Sequence, residues 1–209
     1  MKLSIIGASR GIGLQLVEQT LQAGHAVTAF ARHPQNIPRK HEGLRLVAGD
    51  ILNGPQVQQA VAGQEAVCLT IGAGVTWKPV TVFSQGTEHV LAAMAEHGVK
   101  RLVCVTGIGA GDSKGHGGLL YDRIFNPLLL KTIYADKDRQ EELIRASETE
   151  WTIVRPGFLT NGPLTRTYRV ITDLKGVTAG KISRADVAHF MLNELVENRY
   201  LRQAILLTY

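Results

Sequence analysis

Leu3-Ser-Ile-Ile-Gly-Ala-Ser-Arg-Gly-Ile-Gly13, residues 3–13, decides the fold. An apolar strand runs into a glycine-spaced turn, and an amphipathic helix follows at once. Gly7 allows the sharp strand-to-helix turn. Gly11 lets backbone approach a pyrophosphate with no Cβ in the way, and Gly13 lets the helix pack close to the strand. Free N–H groups at the helix start, in the stretch holding Ser9, Arg10 and Ile12, then face the phosphates with the helix dipole behind them. A second strand follows about 20 residues on, which is the context such a motif requires. The expected ligand is a dinucleotide.

Outward from this turn, strands and helices alternate. Strands are expected over Leu3–Ile6, Ala26–Phe30, Leu44–Ala48, Ala66–Ile71, Arg101–Thr106, Trp151–Val154 and Ala204–Leu207. Helices are expected over Ile12–Ala23, Val57–Val61, Val82–His97, Lys137–Ala146 and Arg184–Val196. Such alternation predicts an α/β fold: a Rossmann-like, doubly wound parallel sheet in three α/β/α layers. With no internal repeat and no low-complexity linker, residues 1–209 are expected to form one nucleotide-binding domain. Two regions break the rhythm. Gly107–Gly118 is glycine-rich and polar and leaves the carboxyl edge of the sheet, where ligands bind in open α/β folds. It is either a mobile substrate loop or a flexible surface loop. Leu119–Ile133 is apolar with an Asn126-Pro127 break, and is a lid, a subunit contact or core.

Bulk properties narrow the function classes. A chain of 209 residues carries one sizeable core and little else. Its 44% hydrophobic and 20% charged residues are ordinary for a water-facing globular domain, and no apolar run is long enough to span a membrane. Met1-Lys2 leads directly into the first strand, so no signal peptide is expected. Cys68 and Cys104 lie in strand-like apolar runs and read as buried free thiols in a reducing, cytoplasmic setting. The seven histidines show no metal-ligand spacing. Net charge is +5 with a pI near 9.4, but the basic residues are scattered and no aromatics interleave with them. A solvated face with a few residues turned to an anionic cofactor accounts for the charge, and no nucleic-acid surface is expected. Lys137-Asp-Arg-Gln-Glu-Glu142 reads as another solvated helix face with charge pairs.

The second strand discriminates between cofactors. An NAD site places Asp or Glu at its end to bind the ribose hydroxyls. Here Thr28-Ala-Phe-Ala-Arg32 has no carboxylate, and Arg32 is placed to meet a 2′-phosphate, with Arg10 approaching the same group. NADP(H) is therefore expected over NAD(H).

The glycine spacing G-x-x-x-G-x-G resembles that of the short-chain dehydrogenase/reductase superfamily. Further matching pieces are Val27–Arg32, Val47–Ile51, Val61-Ala-Gly-Gln64, Ala92–Val99, Trp151–Pro156, Pro163-Leu-Thr165 and Ile182–Met191. Together they are similar to an atypical NAD(P)H-binding group that includes the biliverdin reductase B/flavin reductase family and NmrA-like proteins. The resemblance implies that Asp50 and Ile51 sit beside the adenine, that Ile71 and Gly72 flank the adenosine ribose and pyrophosphate, and that Thr106, Gly107, Pro156, Gly157 and Phe158 surround the nicotinamide. It also implies a reductase passing hydride from NADPH to a flat small-molecule acceptor (a flavin, quinone or tetrapyrrole), as a monomer or homodimer. Larger members use a Tyr-x-x-x-Lys pair in which Lys lowers the Tyr pKa. Tyr134 and Lys137 are three apart, not four, and Tyr121 has Phe125 four residues on, so that pair is absent from the sequence. Thr106 and Tyr134 are the candidate catalytic residues. Tyr121 or Tyr134 either donates a proton or packs, and Phe158 either stacks on the acceptor or is core. The positions where biliverdin reductase B brings Ser and His to its substrate hold Gly107 and Phe158. Asp186 is expected to pin the final helix. The competing class is a non-catalytic NADP(H) sensor of NmrA-like type; a sugar-nucleotide epimerase is disfavoured by its need for a Tyr acid–base and a longer substrate domain.

Overall fold

A computed structural model describes residues 1–37, 40–118 and 130–209. The ten strands among these residues are β1 (Lys2–Ile6), β2 (Ala26–Ala31), β3 (Leu44–Ala48), β4 (Ala66–Leu69), β5 (Arg101–Val105), β6 (Glu150–Pro156), β7 (Phe158–Thr160), β8 (Arg169–Ile171), β9 (Lys181–Ser183) and β10 (Gln203–Thr208). Five α-helices join them: α1 (Gly11–Gln22), α2 (Gly54–Val61), α3 (Val82–Glu96), α4 (Lys131–Ala146) and α5 (Arg184–Glu197).

Eight strands form one sheet in the order β3-β2-β1-β4-β5-β6-β10-β8. All neighbours are parallel except β10 and β8. The inner strands β1, β4, β5 and β6 alternate their side chains between two covered faces, which explains why they read as continuous apolar runs. Leu3 and Ile5 of β1, with Val103 and Val105 of β5, pack under α1 and α5. Ile6, Leu102 and Cys104 point the other way, under α2, α3 and α4. Each face joins one contiguous apolar core, and Cys68 and Cys104 are buried free thiols within them.

The chain reverses direction across the sheet between β1 and β4, which opens a crevice beyond their carboxyl ends. α1 starts there, pressed onto the end of β1 at Gly13. A Cβ on Gly13 would overlap the Gly7 carbonyl and lie 2.6 Å from Thr70 Oγ1. The atoms in the way are mostly backbone, so they cannot swing aside. Gly13→Ala is expected to lower stability by about 1–3 kcal/mol, read as a shifted urea midpoint at constant slope; an unchanged midpoint would show that the helix can ride up without cost.

The structure departs from the sequence expectations in three places. The sheet is not wholly parallel, since β8 runs antiparallel at its edge. Two three-residue strands, β7 and β9, form a separate parallel pair beyond the main sheet. α4 begins at Lys131, well before the expected Lys137, and is solvated on one side only, where Arg139 and Glu142 are exposed. Asp136, Gln140 and Glu141 on it are buried. Asp136 accepts the Phe83 and Ser84 N–H groups at 2.8 and 3.4 Å and the Ser84 hydroxyl at 2.5 Å, capping the start of α3 from a neighbouring helix. Arg101 at the start of β5 is buried and pairs with Glu194 at 2.8 Å.

Candidate active site

A cleft of about 970 Å³ lies over the carboxyl ends of β1, β2, β4, β5 and β6. Asp50 and Ile51, after β3, and Arg32, after β2, line one end. Gly7, Ser9, Arg10, Gly11 and Ile12, with Ile71 and Gly72 after β4, line its middle, and Thr106, Gly107, Tyr134, Pro156, Gly157 and Phe158 the other end. Of the candidate cofactor and catalytic residues, Gly13 alone does not line the cleft; it lies beneath it against the Gly7 carbonyl. Tyr121 and the segment 119–129 lie outside the described residues.

The glycine turn fits a diphosphate: its backbone lies open at the first turn of α1, and Arg10 and Arg32 are exposed beside it. Asp50 also shapes local backbone, its Oδ1 accepting the Leu52 N–H at 3.0 Å. Thr70 buttresses the turn from β4's end, donating to the Ile6 carbonyl at 3.0 Å. No carboxylate stands at the end of β2, as the sequence predicts.

The β5–β6 end of the cleft gathers titratable side chains. α4 carries Tyr134 and Lys137 one turn apart on the same face, because residues three apart on a helix are neighbours. From the Cβ position that Gly107 would project, the Tyr134 hydroxyl lies 3.2 Å away and Lys137 Nζ 3.4 Å. Gly107 itself has φ +145°, which a side-chain-bearing residue adopts only with strain. Where biliverdin reductase B places a Ser, this chain therefore has a phenol and an ammonium filling the space. The Tyr-x-x-x-Lys pair remains absent, as read from sequence. Tyr134 and Lys137, spaced Tyr-x-x-Lys, nevertheless both reach the space beside Gly107.

Lys137 is half-buried, and its Nζ donates to the Thr106 carbonyl and sits over the Phe83 and Tyr134 rings at 5.3 and 5.4 Å. Burial pushes its ammonium down to about 8, against the opposing pull of Cys104 and Glu141. Thr106 is placed differently from a proton donor: it is buried, and its hydroxyl donates to Glu141 Oε1 at 2.7 Å. Its carbonyl positions Lys137 instead. Glu141 is gripped in turn by Arg155, which donates through Nε at 3.0 Å and Nη2 at 2.5 Å. Arg155 is 1% exposed and reaches Asp112 at 2.6 Å. These pairs join α4, β5, β6 and the glycine-rich segment in one buried network.

That network decides the character of Gly107–Gly118. The segment is fastened: Gly111 N–H donates to Asp138 at 2.8 Å, Lys114 pairs with Asp138 at 2.6 Å, and Ala179 N–H donates to the His116 carbonyl at 2.8 Å. These contacts tie the segment to α4 and to the stretch before β9. Phe158 is 36% exposed at the cleft wall, so it is not a core aromatic. Asp186 pins the start of α5, as expected, by accepting from Thr165, Arg166, Ser183 and Tyr209. Lys137, Asn161 and Arg184 line the cleft without having been singled out from sequence.

Comparison with known proteins agrees with the geometry. A family model described as NAD(P)H-binding matches residues 7–198. The chain is 30% identical to the uncharacterized sugar epimerase YhfK of Bacillus subtilis, over 100% of this chain and 94% of that protein. It is 29% identical to the uncharacterized chloroplastic protein At2g34460 of Arabidopsis thaliana, over 94% and 72%. Among solved structures, a Veillonella parvula short-chain dehydrogenase/reductase in complex with NADP superposes with a TM-score of 0.84 at 19% identity, covering 100% of this chain and 94% of that one. The anaerobillin reductase ChuY of Escherichia coli O157:H7 superposes with a TM-score of 0.83 at 20% identity, covering 100% and 97%. At such identities the two structures share the fold. Among the described residues no helix is long and apolar enough to cross a membrane, and no group of acidic, His and Cys side chains is arranged to hold a metal.

Proposed function

This chain belongs to the NAD(P)H-binding family, and on that premise we propose that it is an NADPH-dependent reductase whose acceptor is a flat molecule: a flavin, a quinone or a tetrapyrrole. The observation that carries the proposal is the convergence of the Tyr134 hydroxyl and Lys137 Nζ over Gly107, at the β5–β6 end of the cleft. The nicotinamide cofactor, when bound, supplies the hydride.

The protein's part is to bind, orient and protonate. The turn from Gly7 to Ile12 holds the diphosphate through N–H groups, and Arg10 and Arg32 take the 2′-phosphate. Asp50 and Ile51 flank the adenine, and Ile71 and Gly72 the ribose. Thr106, Gly107, Pro156 and Gly157 hold the nicotinamide, and Phe158 stacks on the acceptor. The Tyr134 phenol holds the proton that the acceptor takes, and Lys137 lowers the cost of releasing it. The ChuY likeness supports the tetrapyrrole member of this acceptor class, since that protein's name is that of an anaerobillin reductase. The same phenol and ammonium argue against a purely regulatory NADP(H) sensor, which needs neither.

Two measurements test the reading together. NADPH is expected to bind at least about tenfold more tightly than NADH, because a bidentate arginine–phosphate contact contributes about 1.5–3 kcal/mol. NADPH oxidation is expected to depend on added FMN, a quinone or biliverdin. Tighter binding of NADH would overturn the cofactor assignment. Firm NADPH binding with no turnover on any of the three acceptors would sink the reductase and favour the sensor.

A further inference from the structure

Arg184 opens α5, which packs against α1, and its side chain lies beside the glycine turn in the cleft. Its Cδ and Nε lie 3.7 Å from the point where a Cβ on Gly11 would project. Its Nη1 donates to Asn161 Oδ1 at 2.8 Å, which holds the guanidinium in the cleft. Asn161 is neutral, so the contact fixes the side chain without neutralising it. Among the described residues no carboxylate comes within ion-pair distance of Arg184. The nearest acid in sequence, Asp186, is taken by Thr165, Arg166, Ser183 and Tyr209. Arg155 and Arg101 show what this chain does with a buried arginine that serves the fold: each is paired with a glutamate, at 2.5 and 2.8 Å. Arg184 is half-buried, oriented and left with its charge uncompensated.

We infer that Arg184 is a phosphate ligand: from the start of α5, beside the glycine turn, it grips the diphosphate of a nucleotide seated on that turn, and Asn161 presets its position. The guanidinium offers N–H donors in a planar fork that matches two phosphate oxygens. The turn offers backbone N–H groups next to it. A diphosphate there is held by two segments 173 positions apart in the chain (Gly11 to Arg184). The inference rests on the cofactor reading above, and adds a residue with a distinct selectivity. Arg32, at the end of β2, meets a group that only NADPH carries. Arg184, at Gly11, meets a group that NADPH and NADH share.

That difference sets the test. NADPH, NADH and adenosine 2′-monophosphate, which carries the 2′-phosphate but no phosphate on the 5′ side, are titrated by calorimetry into the full chain and into Arg184→Ala, Arg184→Lys, Asn161→Ala and Arg32→Ala. Arg184→Ala is expected to weaken NADPH and NADH by the same factor, about tenfold or more, and to leave the monophosphate within about twofold. Arg184→Lys, a point charge without the fork, recovers part of the loss. Asn161→Ala weakens both dinucleotides by a smaller common factor, and this variant keeps the test open should α5 tolerate no change at its first residue. Arg32→Ala weakens NADPH and the monophosphate but not NADH. Wild-type protein that binds neither dinucleotide would overturn the cofactor reading and this inference with it. Wild-type binding with unchanged affinities in Arg184→Ala and Asn161→Ala would overturn the inference alone. So would a loss confined to NADPH, which would make Arg184 a 2′-phosphate reader.

Discussion

Replacing Tyr134 by Phe is expected to lower kcat for acceptor reduction by about 100-fold or more, while the NADPH affinity stays within about twofold. The size follows from general acid catalysis, which typically contributes about 10²–10⁴-fold. The affinity is spared because the hydroxyl stands at the β5–β6 end of the cleft, past β4 from the glycine turn. Lys137→Met is expected to match most of that loss and to change the pH profile. Burial holds Lys137 near 8, so its ammonium is intact below that pH and lost above it. The groups around it are Tyr134 and Glu141 on α4, Cys104 on β5 and the Phe83 ring on α3. As pH rises through about 8, the positive charge beside the phenol disappears and proton release becomes costlier. The wild-type kcat should therefore fall on the alkaline side with an apparent pKa near 8, and Lys137→Met should flatten that limb. A Tyr134→Phe enzyme with wild-type kcat would reduce the phenol to a packing group.

Glu141→Ala is expected to lower stability by about 3–5 kcal/mol, because it leaves the Arg155 guanidinium buried with only the exposed Asp112 as its ionic partner. Chains of this length typically have about 5–15 kcal/mol in total, and the loss corresponds to a Tm about 6–20 °C lower. The same change frees the Thr106 hydroxyl, so Lys137 loses the fixed carbonyl that positions it. The double variant Glu141→Gln with Arg155→Met removes both charges and should recover much of the stability, since a buried ion pair contributes little net over packed neutral groups. Urea melts of the three proteins separate these cases. A single Glu141→Ala variant within about 1 kcal/mol of wild type would show that water or rearrangement compensates Arg155.

The first half of the fold was legible because its signals are local. Gly7, Gly11 and Gly13 answer to turn geometry and close packing, and the apolar runs of β1, β2, β4 and β5 answer to burial on two faces. Arg32 is read from its place at the end of one strand. The second half gave weaker signals. β7 and β9 have three residues each, too short to show a period, and they pair with each other instead of with their neighbours in the main sheet. Lys137, Gln140 and Glu141 look like a solvated stripe because charge on a helix ordinarily faces water. They are inside because their partners, Thr106, Arg155 and Thr87, arrive from other elements.

The linear chain thus specifies a nucleotide-binding α/β layer and its phosphate turn, since each of those depends on residues within a few positions of one another. Folding decides the reacting end. Gly107 meets Tyr134 and Lys137, Arg184 meets Gly11, and Arg155 meets Glu141, each across a separation that no periodicity encodes. The physical reason is that proton donors, clamps and buried charges work by distance in space, and a parallel sheet collects residues from every strand end along a single edge.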